Sequence, residues 1–221
     1  MWLLTSGPTR EHLDDVRFLT NASSGRMGFA LAQEARSRGH AVTILQGPVA
    51  LSPPPGVHVL PVTSADEMLA RGLEVLGRGP VDVILGVAAV CDFRPARRLT
   101  GKPGKSEVLR HIDLVENPDV LATLAAKKRA RVHVGFALQV LRDDEDLKAA
   151  TAVARSKLQR KGLDAIVLNG ASAMEATGSR AFWVSADAPD TEEAEEVGCG
   201  DKAEVAAAIV ARIENLLARR P

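Results

Sequence analysis

The sequence predicts an α/β fold: a Rossmann-like parallel sheet with helices on both faces, in a single domain spanning residues 1–221. Three observations lead there. Short apolar runs recur at 2–5, 41–45, 57–62, 81–87, 132–137 and 165–168, with the length and composition of strands covered on both faces. Helical stretches separate most of them, at 24–38, 64–76, 117–128 and 143–161, and that alternation builds parallel sheets. A chain of 221 residues that is 46% hydrophobic and 25% charged can bury one sizeable core.

The elements follow in order. Residues 2–5 form a buried strand at the start of the chain, and a polar, Gly-containing loop fills 6–25. The helix at 24–38 carries Met27, Ala30, Leu31 and Ala35 near helical spacing, with Gly39 as its stop. After the strand at 41–45, a Pro-rich loop at 47–56 leads to the strand at 57–62. Ser64 and Glu67 then form a capping-box pair at the next helix start. The run 81–87 reads as a central strand, residues 88–106 carry little periodicity, and 108–115 alternates like a strand or hairpin arm. Asn117 followed by Pro118 reads as an N-cap with proline at the first helical position. The strand at 132–137 precedes a long helix ended by Gly162 and a strand at 165–168. Residues 169–200 are turn-rich around a short strand at 181–185, and an amphipathic helix fills 201–219. There is no repeat or low-complexity linker.

Composition removes whole classes of function. Lys plus Arg is 28 and Asp plus Glu is 28, a balance that argues against a nucleic-acid or membrane-surface protein. Tyr is absent, which excludes any mechanism with a phenol acid or base. Cys91 and Cys199 are far apart with no C-x-x-C, so neither a thiol metal site nor a disulfide framework is indicated. No apolar run approaches a membrane span, and the first residues lack the basic region of a signal peptide. These features predict a cytoplasmic protein.

Open α/β sheets bind ligands beyond the carboxyl ends of their strands, which directs attention to the loops at 6–25, 88–106, 136–143 and 169–180. No G-x-G-x-x-G follows the first strand. Gly104-Lys105-Ser106 is not a P-loop, because Leu99 stands where the first glycine is required. The segment NASSGRMG at 21–28 has the small residues of an anion site at a helix N-terminus, though the same residues serve equally as a tight N-capped helix entry. Arg94, Arg97, Arg98, Lys102 and Lys105 cluster in one loop without an acid among them, which suits either a polyphosphate partner or a solvated basic loop. Gly101, Pro103 and Gly104 give that lysine-containing loop a flexible character. Asp92 and Asn169 sit at strand ends, as site residues or as turn residues and caps.

Together these segments resemble a known family. TSGPTR at 5–10, VRFLTNASSGRMG at 16–28, GVAAVCDF at 86–93, KPGK at 102–105, ENPD at 116–119, VGFA at 134–137 and KLQRKGLDAIVLN at 157–169 closely resemble phosphopantothenoylcysteine synthetase of the bacterial CTP-dependent type. The resemblance runs from about residue 3 to 170, with 170–221 matching only in outline. It implies a phosphopantothenate–cysteine ligase of coenzyme A biosynthesis, without the decarboxylase often fused to it. The carboxylate of 4′-phosphopantothenate would attack the α-phosphate of CTP, and the amine of cysteine would displace CMP from the acyl-cytidylate. By the same resemblance Asn21 would hold the acyl carbonyl and Ser23, Ser24 and Gly25 would lie near phosphate. Ala88, Ala89, Asp92, Phe136, Lys157 and Lys161 would bind the nucleotide, with Lys102 and Lys105 reaching the triphosphate. Asn21 and Lys102 are the implied catalytic residues. Mg²⁺ is expected with the triphosphate, and a homodimer and a separate phosphopantothenoylcysteine decarboxylase as partners.

The chain departs from the family pattern at Pro8, which removes a backbone donor, at Gly104, which replaces a loop lysine, and at Gln139, where a carboxylate is usual. The Asn-containing segment expected after Asn169 is reduced to TGSR at 177–180. Two other readings compete: a nucleotide- or flavin-binding oxidoreductase on a Rossmann-like fold, and a non-catalytic binding homologue.

Overall fold

Apolar strands that cannot satisfy their backbone alone pair into one sheet and bury both faces under helices. A computed structural model describes residues 1–104, 111–139, 141, 143–170, 178–189 and 193–220. The strands are β1 (Trp2–Ser6), β2 (Arg10–His12), β3 (Phe18–Thr20), β4 (Val42–Gln46), β5 (His58–Pro61), β6 (Val81–Gly86), β7 (Phe93–Pro95), β8 (Leu114–Glu116), β9 (Ala130–Gln139), β10 (Ala165–Gly170), β11 (Gly178–Ser185) and β12 (Glu195–Asp201). The helices are α1 (Arg26–Ser37), α2 (Ala65–Arg78), α3 (Val120–Ala125), α4 (Asp144–Lys161) and α5 (Lys202–Ala218).

Eight strands form the main sheet in the order β12-β11-β10-β9-β6-β1-β4-β5. From β10 to β5 every pairing is parallel. The last two strands, β11 and β12, add in antiparallel fashion. Alternation along the strands divides the core. Trp2, Leu4, Ile44, Val83, Leu85, Val132 and Val167 face α1 and α5. Leu3, Leu45 and Ile84 face α2 and α3, and Ile166 and Leu168 face α4. Fully burying one such Leu or Ile is worth about 1.5–3 kcal/mol.

The structure corrects the sequence reading in four places. The loop at 6–25 contains the hairpin β2–β3, and the loop after β6 contains β7, paired with β8 in a second ribbon. Strand β12 lies within the stretch read as turns. The N-cap of α3 is Asp119, whose carboxylate accepts from Ala122 N–H at 3.0 Å, so the helix starts at Val120 and ends at Ala125. Asn117 instead donates its amide to Cys91 O at 2.8 Å. Lys105 and residues 108–110 lie outside the described residues.

The β2–β3 hairpin is fastened at both ends. Buried Glu11 accepts from Ala65 N–H at 3.0 Å, placing a carboxylate at the N-terminus of α2 where the dipole favours it. In the turn, Asp14 accepts from the backbone N–H groups of Arg17 and Val16 at 2.7 and 2.8 Å, and from Arg17 Nε at 2.7 Å. Backbone donation from Arg17, joined by Val16 and the guanidinium, outweighs burial and lowers the Asp14 pKa to about 2. A carboxyl depressed in the folded state stabilises it above the unfolded pKa, and that contribution disappears as pH falls through the folded value. Acid titration should therefore cost the wild type hairpin stability between roughly pH 4 and pH 2, and Asp14→Asn should remove that dependence. Amide exchange of the hairpin that is flat over this window in the wild type would contradict the assignment.

Two glycines make a second test. A Cβ on Gly47 would fall 1.9 Å from Pro8 O, a backbone atom that cannot step aside. Gly77, in the last turn of α2, has nothing within 4 Å of that position. Gly47→Ala is expected to destabilise by about 1–3 kcal/mol, whereas Gly77→Ala should stabilise by about 0.5–1 kcal/mol. Denaturant unfolding of the two variants checks both signs.

Candidate functional site

Strands β1 and β6 are neighbours at the centre of the sheet, yet β1 leads through α1 to β4 on one side while β6 leads through α3 to β9 on the other. Connections that part in this way leave a crevice at the carboxyl ends of the strands. Here it is a cavity of about 830 Å³. Its walls are the end of β1, residues 21–28 entering α1, the loop after β6, the segment entering α3, the end of β9 and the last turn of α4, with Asn169 and Lys202 also lining it.

The two central loops are stitched together. Ala88 N–H donates to Thr5 Oγ1 at 3.2 Å, and Ala89 N–H donates to Gly7 O at 3.0 Å. Thr9 N–H returns a bond to Ala89 O at 3.4 Å, so the bridge opposite Pro8 uses its two neighbours and does not need the donor that proline lacks. Asn21 adds a side-chain tie: its NH₂ donates to Ala89 O at 3.1 Å and to Val90 O at 3.2 Å. Farther along, Cys91 N–H donates to Thr9 Oγ1 at 3.0 Å.

Small residues let α1 approach this seam. Gly25 caps the helix with φ +74°, a left-handed conformation that favours glycine, and no side chain caps the first turn. A Cβ on Gly28 would lie 2.2 Å from Ser6 Oγ. The first N–H groups of α1 thus open toward the cavity without a side-chain partner at the cap, as an anion site requires. The opposite wall depends on Gly86 and Gly135, paired in the sheet, where a Cβ would meet Leu121 at 2.6 and 3.1 Å.

Asn21, Ser23, Ser24, Gly25, Ala88, Ala89, Asp92, Phe136, Lys157 and Lys161, scattered over much of the chain, all line this one cavity. Lys161 binds Asp119, with Nζ 2.9 Å from Oδ2. Burial alone would raise the Asp119 pKa, but the hydrogen bond from Lys161 and the donation from Ala122 N–H bring it below the usual carboxylate range. Lys102 is exposed and outside the cavity wall. Two other cations of the basic loop have structural partners: Arg94 donates to Glu116 O and Asn117 Oδ1, and Arg98 pairs with Asp15 at 2.9 Å. Arg94, Arg97 and Arg98 line a smaller cavity of about 430 Å³ beside the β2–β3 hairpin. The sequence reading missed Arg26, Asn117, Arg160 and Lys202, which also line the main cavity. Arg26 and Arg160 lie inside segments already singled out, but Lys202 carries no local motif and only the tertiary fold brings it here.

A Rossmann-like sheet whose carboxyl-end crevice joins an open helix N-terminus to several cations has the kind of groups that bind phosphate in such folds. The chain belongs to the family of the DNA/pantothenate metabolism flavoprotein C-terminal domain, which matches residues 1–217. It is similar to the coenzyme A biosynthesis bifunctional proteins CoaBC of Vibrio cholerae, 41% identical over 77% of this chain and 41% of that protein, and of Bacillus subtilis, 38% identical over 77% and 40%. The chain thus spans about two fifths of the length of these curated relatives. The crystal structure of the C-terminal domain of a CoaBC protein superimposes with a TM-score of 0.78 at 34% identity, covering 99% of this chain and 95% of that one. A Cab2 mutant in complex with phosphopantothenate-cysteine shares the fold, with a TM-score of 0.75 at 18% identity over 99% of this chain and 87% of that one.

Proposed function

We propose that this chain is the phosphopantothenate–cysteine ligase of coenzyme A biosynthesis, working through an acyl-cytidylate made from CTP. The observation that carries the reading is the convergence of Asn21, Ser23 to Gly25, Ala88, Ala89, Asp92, Phe136, Lys157 and Lys161 on one cavity. Coenzyme A biosynthesis is supported by the CoaBC relatives, and the acyl product by the phosphopantothenate-cysteine held in the Cab2 mutant.

Ala88, Ala89, Phe136 and Asp92 hold the cytidine, and Lys157 and Lys161 hold the nucleotide against the last turn of α4. The carboxylate of 4′-phosphopantothenate attacks the α-phosphorus, the bond to the bridging oxygen breaks, and pyrophosphate leaves. The cysteine amine then attacks the acyl carbon, loses a proton, and CMP departs. Both steps build negative charge on oxygen, so fixed cations and N–H donors supply the catalysis. Lys102 and Lys105 would reach the triphosphate, and Mg²⁺, when bound, would offset its charge. A homodimer is the family's expected assembly, and the exposed Phe93 and Leu114, on one face of the β7–β8 ribbon, offer apolar surface for it. A phosphopantothenoylcysteine decarboxylase is the partner that takes the product. No described helix is long and apolar enough to cross a membrane, and we place the enzyme in the cytoplasm.

Pyrophosphate release tests this. It should require both CTP and phosphopantothenate, and CTP should far exceed ATP, because a site bonding a pyrimidine edge leaves polar groups unpaired before a purine. Release with no phosphopantothenate requirement, or equal rates with both nucleotides, would overturn the reading. A second test uses Asn21→Asp, which replaces the NH₂ donor with an acceptor facing the carbonyls of Ala89 and Val90. Amide formation should fall by about 10²–10³-fold, the weight of one oxyanion donor, with pyrophosphate release reduced less. Equal loss in both half-reactions would assign Asn21 to holding the loops and not to the acyl oxygen.

A further inference from the structure

Four successive carbonyls after β6, from Ala89 to Asp92, each accept a hydrogen bond from one of two asparagines. Asn21 NH₂ serves Ala89 O and Val90 O. From the β8 side, Asn117 NH₂ serves Cys91 O at 2.8 Å, and Asn117 N–H serves Asp92 O at 2.8 Å. That last bond extends the β7–β8 ladder one residue beyond the pair Phe93 and Glu116. Asp92, which lines the main cavity, is therefore held through its own backbone and that of Cys91. Asn117 is held in turn by Arg94, whose Nη1 donates to Asn117 Oδ1 at 3.0 Å and to Glu116 O at 2.7 Å. A guanidinium only donates and a backbone carbonyl only accepts, so the amide fits between Arg94 and Cys91 O in one orientation alone. Without the guanidinium the amide is free to turn over, which sets its oxygen against Cys91 O and takes away that carbonyl's donor. The contact of Arg94 with Asp66 is looser, with Nε 3.8 Å from Oδ2 and the carboxylate side chain 59% exposed, and contributes little. Arg94 lines the smaller cavity and is not part of the main cavity wall, so its path to the site runs through Asn117.

We propose that Arg94 is a positioning residue for Asp92. By locking the Asn117 amide it fixes the carbonyls of Cys91 and Asp92, and with them the direction from which the Asp92 side chain enters the cavity. The other lip is tied separately, by Asn21, so the effect of Arg94 falls on the half of the site that holds the nucleotide. Both bonds of Arg94 leave from one nitrogen, so the contact is not a fork, and a lysine ammonium can replace it where an uncharged side chain cannot. Which ligand Asp92 meets rests on the ligase reading above, while the lock itself can be tested without any ligand.

The test has two readouts: calorimetric binding of CTP and of phosphopantothenate without turnover, and hydrogen exchange at Asn117 N–H in the ligand-free proteins. Arg94→Met, at a side chain 35% exposed, should weaken CTP about 10-fold, the weight of one charged hydrogen bond. It should also speed exchange at Asn117 and leave phosphopantothenate affinity unchanged. Arg94→Lys should recover most of both losses, and Asp66→Asn should match the wild type. In an Asn117→Ala background Arg94→Met should add nothing, because residues of one hydrogen-bond network are not additive. A full additional loss in that background, or lysine that fails to rescue, would overturn the proposal. So would equal weakening of both ligands, which would make Arg94 a general support of the ribbon. Wild-type protein that ignores CTP, with exchange at Asn117 following the prediction, would remove the ligase reading and leave the lock on Asp92. Amide formation from CTP, with Arg94→Met unchanged in CTP affinity and exchange, would remove the lock and leave the ligase.

Discussion

Two strands side by side at the centre of the sheet, β1 and β6, send their connections to opposite sides, and the resulting gap holds the candidate site. The gap has a defined shape because its two lips are joined by hydrogen bonds: Thr5 to Ala88, Gly7 and Thr9 to Ala89, and Asn21 to Ala89 and Val90. Removing those bonds would leave the loops after β1 and β6 free to part. The close approaches at Gly28 and Gly47 serve the same end, drawing α1 and the β4–β5 loop against residues 6–8. Asn21 is a tie between the lips, and in the proposed ligase its amide would also lie beside the reacting groups.

Cations gather along the cavity wall. Arg160 and Lys161 come from the last turn of α4, where they complement the helix dipole, Lys157 lies a turn earlier, and Asp119 holds Lys161. Arg26 and Lys202, the first residues of α1 and α5, line the same cavity. A chain of zero net charge thereby concentrates positive charge around one crevice.

Much of this was readable before the fold was known, and the failures have physical causes. Continuous apolar runs mark β1, β4, β6, β9 and β10 because a strand buried on both faces tolerates nothing else. The β2–β3 hairpin and β12 escape notice because REH and EEVGCGD are polar or Gly-rich, and they exist through long-range ties such as Glu11 to Ala65 N–H. Asn117-Pro118 has the local signature of a helix start, but Asn117 is drawn off to Cys91 and Asp119 takes its place. Asn21, Ser23, Ser24, Gly25, Lys157 and Lys161, named from contiguous motifs, line the cavity, while Arg160 among them was not named. Lys202 was missed because nothing local distinguishes it from any solvated lysine at a helix start. The basic loop was harder still: Arg94 and Arg98 turn out to bind neighbouring carbonyl and carboxylate groups.

The central claim is that the carboxylate is activated as a cytidylate in this crevice, and rapid quenching with CTP labelled at the α-phosphate addresses it directly. With phosphopantothenate present and cysteine withheld, the label should accumulate on a phosphopantothenoyl adduct and pass to CMP when cysteine is added. Labelled CDP in place of that adduct would mean attack at the γ-phosphate, and would contradict the account.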